Sequence, residues 1–205
     1  MTEYWKKLAE QLEFQYDESI DALIESPVLI QLSGQQYTQQ NLDRIREMLN
    51  QPMFKNFYHE MFPCLLSGQS GKYPVFIYPI RFSTQGTESS NYTVNVMMMF
   101  PTHYNFELSI KKSSFFGRLF RTGIKSHDPE FNSMVTVKAK NNKEQVKTFL
   151  ENMSLVYAAK DLFRQFPSAE IGDAGVKNSL PAGEPDLHEV KQLLDTMKKV
   201  LDCFY

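Results

Sequence analysis

A short polar run near the middle of the chain, His127-Asp128-Pro129-Glu130, holds the residue types that acid–base and metal chemistry use. An imidazole beside two carboxylates can bind a metal ion or transfer a proton. His127, Asp128 and Glu130 therefore form a candidate polar site. The competing interpretation is a turn, in which Asp128 bonds to nearby backbone and Phe131 enters the core. We favour the turn, because one loop rarely supplies a whole site and no partner residues stand nearby in the sequence.

A second candidate lies between positions 111 and 125, where basic and apolar residues are interleaved without any acidic residue. Such a mixture is typical of surfaces that insert aromatic rings among lipid head groups or that bind another anionic partner. The alternative, which we favour because glycines interrupt the pattern, is a connector that folds its apolar residues onto the sheet and leaves its cations in solvent. The candidate anion or membrane contacts are Lys111, Lys112, Arg118, Arg121 and Lys125.

The other chemically reactive residues lack the spacing that known catalytic or metal motifs require. The four histidines form no His-x-His or His-Glu-x-x-His pattern, and the two cysteines form no Cys-x-x-Cys pair. A nucleophile elbow, a phosphate-cradling glycine loop and a dinucleotide fingerprint are all missing. The sequence therefore names no catalytic, metal-binding or cofactor-binding residue, and we expect no cofactor.

Length, charge and composition limit the class of protein. The chain has 205 residues, 42% of them hydrophobic, which is enough for one large domain with a buried core. Its net charge of −2 provides no basic field, so we expect no nucleic-acid partner. No apolar run reaches the roughly 18 residues that cross a bilayer, and the N-terminus lacks the apolar core of a secretion signal. Two cysteines without a disulfide framework are typical of a reducing compartment, so we expect a cytoplasmic location.

The elements that must position these candidates are centred on residues 91 to 111. Tyr92 to Phe100 and Tyr104 to Ile110 each alternate apolar with mostly polar residues, the pattern of strands with one buried face. A Pro-Thr-His break separates the two runs, which predicts an antiparallel hairpin. Further strands are predicted at 62–67, 75–82 and 131–137, with a short strand pair around Ile171 and Val176.

Helices are predicted on both sides of these strands, from apolar stripes and capping residues. Their expected starts are Thr2, Ser19, Thr38, Asn142, Ser154 and Asp186. Helices, then strands, then helices indicate an α+β fold: an antiparallel sheet of about five strands, covered by N-terminal and C-terminal helices. We divide the chain into an N-terminal helical segment, 1–52, and a sheet domain with the C-terminal helix, 53–205, which together form one structural unit.

The last helix carries apolar residues at heptad-like intervals. Packing against the sheet would use this stripe within one chain, whereas a homodimer would use it between two. The stripe consists of Leu187, Val190, Leu194, Met197, Leu201 and Phe204.

Four short pieces after about Leu65 share a pattern with a known group of proteins. They are the two glycines and strand of 68–77, Phe106-Glu107-Leu108-Ser109-Ile110, the run 127–137 with the helix to Leu150, and Gly183-Glu184-Pro185-Asp186. In these pieces the chain resembles a family of uncharacterised bacterial α+β domains of unknown function. That family usually reads Gly-Asp-Pro-x-Phe-Asp where this chain has His127-Asp128-Pro129-Glu130-Phe131-Asn132. The resemblance implies an α+β fold and a bacterial source, and it implies no activity.

These observations favour a non-enzymatic cytoplasmic binding or scaffolding domain, which meets a protein partner through the outer face of the sheet or forms a homodimer through the last helix. One alternative is a peripheral contact with a membrane surface or anionic lipid through residues 111–125. Another is an unrecognised hydrolase or metal enzyme that uses His127 and Asp128.

Overall fold

The computed structural model describes residues 2–28, 43–44, 47–48, 51–52, 61–82, 91–102, 104–113, 123–181 and 183–204. Among them are six helices of at least six residues and eight strands. The helices are α1 (Thr2–Leu12), α2 (Ile20–Glu25), α3 (Pro129–Met134), α4 (Lys143–Glu151), α5 (Met153–Gln165) and α6 (Leu187–Asp202). The strands are β1 (Gln15–Asp17), β2 (Leu65–Ser70), β3 (Tyr73–Phe82), β4 (Asn91–Met99), β5 (Ser109–Lys112), β6 (Val135–Lys138), β7 (Glu170–Gly172) and β8 (Gly175–Leu180).

The predicted α+β class with an antiparallel sheet is confirmed, but the expectation of about five strands is wrong. Within the described ranges, the sheet has eight strands in the order β1-β2-β3-β4-β8-β7-β5-β6. The expected number left out the short pair β7 and β8, which the sequence predicts around Ile171 and Val176, and it missed β1, whose three residues are too few for an alternating pattern. The chain divides into two compact units. One comprises Met1–Gln69, Val75–Met97 and Leu180–Leu187, and the other comprises Ser70–Pro74, Met98–Ser179 and His188–Tyr205.

In the first unit, α1 forms because its apolar residues recur on one helical face. Trp5, Leu8 and Ala9 are buried there, and the chain leaves the helix at Glu13, whose φ is positive. Strand β1 then pairs antiparallel with β2, placing Tyr16 opposite Leu66. Helix α2 begins as its sequence predicts, with the Ser19 hydroxyl accepting a hydrogen bond from the backbone N–H of Ala22.

In the second unit, β6, β5, β7 and β8 form consecutive antiparallel pairs. Ile171 lies opposite Val176, so the predicted short strand pair is confirmed. The apolar stripe of α6 is buried within the chain, where Val190, Met197 and Leu201 have no exposed surface. This burial accounts for the heptad-like spacing without a second copy of the protein.

The predicted hairpin of residues 91–111 is wrong in its second half. β4 matches the first run, but residues 104–108 form no strand, and β8 and β7 lie between β4 and β5 in the sheet. The Asp173 carboxylate holds the irregular segment by accepting the backbone N–H groups of Phe106, Glu107 and Leu108, at 3.1, 2.7 and 3.0 Å. Phe106 and Leu108 are nevertheless buried, as their alternation predicts. The sequence thus indicated which side chains are inside, but not the backbone that puts them there.

Several other predictions fall outside the described residues or differ from the structure. The predicted helix of 39–50 lies mostly outside the described residues. His103 and positions 114–122 of the basic segment lie outside them entirely. Phe131, predicted to start a strand, lies in α3, and the strand begins only at Val135. Asn142 precedes α4 as expected, but it adopts a left-handed conformation and its side chain makes no capping bond.

Candidate functional site

The polar run 127–130 lies at the start of α3, and Asp128 determines its local conformation. Asp128 is the residue before the helix, Pro129 takes the first helical turn, and the Asp128 Oδ1 atom accepts the Phe131 backbone N–H at 2.8 Å. Proline suits this position because its missing N–H is not needed there. The result anchors Phe131, which is 1% exposed, in the core. The favoured interpretation of this run as a turn therefore agrees with the role of Asp128, although the turn opens a helix.

The same two carboxylates meet cations from α5. The Lys160 Nζ atom lies 2.8 Å from Asp128 Oδ2 and 2.6 Å from Glu130 Oε2, and Arg164 also pairs with Glu130. The Lys160 side chain is only 8% exposed, which is rare for a lysine unless it is paired. The hydrogen bond from Lys160 lowers the pKa of Asp128 and of Glu130, and those two carboxylates raise the pKa of Lys160. All three groups therefore stay charged over a wide pH range.

His127 forms no ion pair or hydrogen bond with this cluster among the described residues. His127 is exposed, while Asn132 closes the loop by accepting the Ser126 N–H at 2.9 Å and donating to the Ser126 carbonyl at 2.8 Å. Within the described residues, no three His, Cys, Asp or Glu side chains are grouped as a metal site would require. Asp128 and Glu130 are thus brought together with Lys160 and Arg164, in an arrangement that joins α3 to α5.

A second charged arrangement lies on one face of the strands β6, β5, β7 and β8. Cross-strand register places Thr136, Lys111, Glu170 and Lys177 in a single row. Lys111 Nζ lies 2.8 Å from Glu170 Oε1, and Lys177 Nζ lies 3.0 Å from Glu170 Oε2. The Ser109 hydroxyl also donates to Glu170, at 3.2 Å. One carboxylate therefore bridges two lysines across three strands.

The two faces of these strands differ sharply in burial. Opposite the charged row, the side chains of Ile110, Val137, Ile171 and Val176 are at most 2% exposed. On the charged face, the Lys111 and Lys177 side chains are 56% and 51% exposed, and Lys138 beside them is exposed as well. This side of the antiparallel sheet is open to solvent.

Glu170 has opposing influences on its pKa. Partial burial of the carboxyl is the largest single influence and raises the pKa, but the hydrogen bonds and charges of Lys111 and Lys177 together outweigh it. The net effect lowers the pKa of Glu170. Glu170 therefore stays charged at neutral pH.

Only part of the predicted basic segment lies on this face. Lys111 belongs to the row, whereas Lys112 points to the other side by strand alternation. Lys125 is exposed and follows Ile124, which bridges to Val137 of β6. Arg118 and Arg121 lie outside the described residues.

The residues that complete both arrangements were not predicted as site residues. Lys160 and Arg164 lie on a predicted helix, and nothing in their spacing indicates which loop they meet. Glu170 and Lys177 neighbour Ile171 and Val176, so strand alternation alone places them on the opposite, polar face. The sequence therefore indicates the face on which Glu170 and Lys177 lie, but it does not indicate that β5 and β7 are adjacent.

Comparison with known proteins gave no match to any family model, curated protein or solved structure. The resemblance to the bacterial domain family stays a prediction. Among the described residues, no helix combines the length and the apolar character that a membrane span needs.

Proposed function

We propose that the protein is a non-enzymatic cytoplasmic binding domain, which holds an acidic segment of a protein partner on the open face of β6, β5, β7 and β8. The observation that carries the proposal is the exposed row formed by Lys111, Glu170 and Lys177. Open sheet faces with regularly placed charges present a flat, rigid surface, on which a partner can be aligned by its own charges.

The charge of this face supports an acidic partner. Among the described residues of β6, β5, β7 and β8, Lys111, Lys138 and Lys177 share this face with one carboxylate, that of Glu170. These strands therefore carry an excess of positive charge on this face, on a chain whose net charge is −2. Neighbouring strands are about 4.8 Å apart, so the backbones at Lys111 and Lys177, which lie two strands apart, are separated by roughly 10 Å. Carboxylates on an acidic protein segment can reach both cations together.

The two charged arrangements differ in how accessible they are. Lys160 is almost fully buried and both its acidic partners lie at the start of α3, which is the pattern of a structural ion pair. Lys111 and Lys177 each expose about half of their side chains. Exposed lysines can exchange an internal carboxylate for an external one at little cost, because surface ion pairs contribute only about 0–1 kcal/mol.

A titration with an acidic peptide tests the proposal. A fluorescein-labelled peptide of eight glutamates should bind the intact protein at low ionic strength and dissociate as salt is added. The double variant Lys111→Gln, Lys177→Gln should weaken this binding by roughly fivefold or more, because both cations of the row are lost. Amide shifts in NMR spectra should concentrate in β5, β7 and β8.

A matched control separates this face from a general charge effect. Lys143 and Lys147 are exposed on α4, so Lys143→Gln, Lys147→Gln removes the same charge and should leave peptide affinity within about twofold of wild type. Equal weakening by both double variants would contradict the proposal. Vesicles of phosphatidylserine and phosphatidylcholine provide the other arm: binding to vesicles through Lys111 and Lys177, with no binding of the peptide, would overturn it in favour of the lipid contact.

A further inference from the structure

A cleft in the first compact unit is lined by one face of α1 and by the segment that leads into α6. Its volume is about 490 Å³, within the range of small-molecule sites. Tyr4, Lys7 and Leu8 line it from α1, and Glu184, Asp186 and Leu187 line it from the other side. The Tyr4 hydroxyl donates to the carbonyl of Pro185 and so ties the two walls together.

The cleft carries charged side chains of both signs that have no ion-pair partner among the described residues. Lys7, Glu184 and Asp186 are exposed, and within the part of the chain that the structure describes their side chains form no ion pair. They differ in this from Asp128, Lys160 and Glu170, whose charges are all paired internally. A cleft with unpaired charges of both signs and an apolar floor can receive a ligand with the complementary pattern.

We infer that this cleft binds a small amphipathic zwitterion, of the size of a dipeptide with apolar side chains. Its ammonium group would face Glu184 and Asp186, its carboxylate would face Lys7, and its apolar side chains would contact Leu8 and Leu187. Two opposite charges at separate ends fix the orientation of the ligand, while burial of its apolar side chains supplies affinity. The inference uses none of the residues of the sheet face.

Leucyl-leucine is a suitable probe, and the protein carries its own reporter. Trp5 is the only tryptophan in the sequence. It is buried beside Tyr4, with ring centroids 5.1 Å apart, and its indole N–H has no hydrogen-bond partner among the described residues. Leucyl-leucine should change the Trp5 fluorescence saturably, with a Kd below about 1 mM. Amide NMR shifts at residues 4–11 and 184–187 provide a second readout, should the fluorescence not respond.

Probes that lack one charge assign each end of the ligand. Leucyl-leucinamide lacks the carboxylate, and N-acetyl-leucyl-leucine lacks the ammonium, so each should bind roughly fivefold more weakly than leucyl-leucine. In the Lys7→Gln variant the amide and the free dipeptide should bind equally, because the cation that distinguishes them is gone. In the Glu184→Gln, Asp186→Asn variant the acetylated and free dipeptides should bind equally.

Lys6→Gln serves as the matched control, because Lys6 neighbours Lys7 on α1 but pairs with Glu18 at 3.3 Å. It should leave the affinity for all three probes unchanged, and circular dichroism should show that each variant is folded. The inference is overturned if neither fluorescence nor NMR shows saturable binding up to about 10 mM leucyl-leucine. It is also overturned if the Lys7 and Lys6 variants behave alike.

Discussion

Lys160 and Asp128 are separated by 32 positions in the chain, yet the ammonium of one lies 2.8 Å from a carboxylate oxygen of the other, with both side chains nearly buried. Asp128 also caps α3 through its second oxygen. One carboxylate therefore starts a helix and joins it to α5. This double use makes the pair a structural link, and removing Lys160 leaves the Asp128 carboxylate without the cation that compensates its charge.

Replacing Lys160 with methionine should destabilise the fold. Methionine has a similar length and no charge, so Asp128 and Glu130 would keep their negative charges without the shared cation. We expect the Tm to fall by roughly 5 °C or more in thermal denaturation. Lys147→Met is the control, because Lys147 is 53% exposed and pairs only with Glu144 on its own helix; its Tm should stay within about 2 °C of wild type. An equal fall in Tm in the two variants would contradict a structural role for the ion pair that joins α3 to α5.

Stability should depend on acid pH through the same carboxylates. Lys160 lowers the pKa of Asp128 and Glu130 in the folded chain, so the unfolded chain binds protons more readily than the folded one. Their contribution to stability is then complete above the unfolded pKa values near 4, and it is lost as the pH falls through the lower folded values. Wild-type Tm should therefore drop between about pH 5 and pH 2.5.

The Lys160→Met variant tests the assignment of this pH dependence. Without Lys160 the two carboxylates lose the main cause of their lowered pKa values, so the loss of Tm over the same pH interval should be smaller than in wild type. Glu170 keeps its own pairs in both proteins, so the rest of the acid sensitivity is common to the two. Parallel Tm curves would assign the acid dependence to other groups.

Gly175 should tolerate no side chain. Its φ is +145°, and a Cβ built there would lie 2.1 Å from the Met98 carbonyl oxygen. Strain and backbone overlap together should lower the free energy of unfolding of Gly175→Ala by about 2–4 kcal/mol, measured by urea denaturation. Gly183 provides the matched control, since its φ is +130° and, apart from its chain neighbours, no atom of the described residues lies within 4 Å of the built Cβ. Gly183→Ala should cost only the conformational strain, about 1 kcal/mol, and a cost as large as that of Gly175→Ala would refute the close-contact explanation.

Local patterns in the sequence predicted several elements correctly, for identifiable reasons. Ser19 caps α2, because the capping bond needs only residues three apart. Ile171 and Val176 pair across a short turn, and the Trp5–Leu8–Ala9 stripe is buried. Each of these features depends on residues that are close together in the chain, so a local sequence pattern can predict it.

What the sequence by itself determined is therefore mostly local: the start of α2 at Ser19, the alternation that buries Phe106 and Leu108, and the α+β class. What only the tertiary structure decided is which distant segments meet. The hydrophobic pattern of residues 104–110 is the same whether β5 pairs with β4 or with β7. The three hydrogen bonds that the Asp173 carboxylate accepts from backbone N–H groups favour pairing with β7. They join segments that are more than 60 positions apart in the chain. The charged row of Lys111, Glu170 and Lys177 exists only because of that pairing. The residues next to each of these side chains in the sequence do not specify which strand lies beside their own.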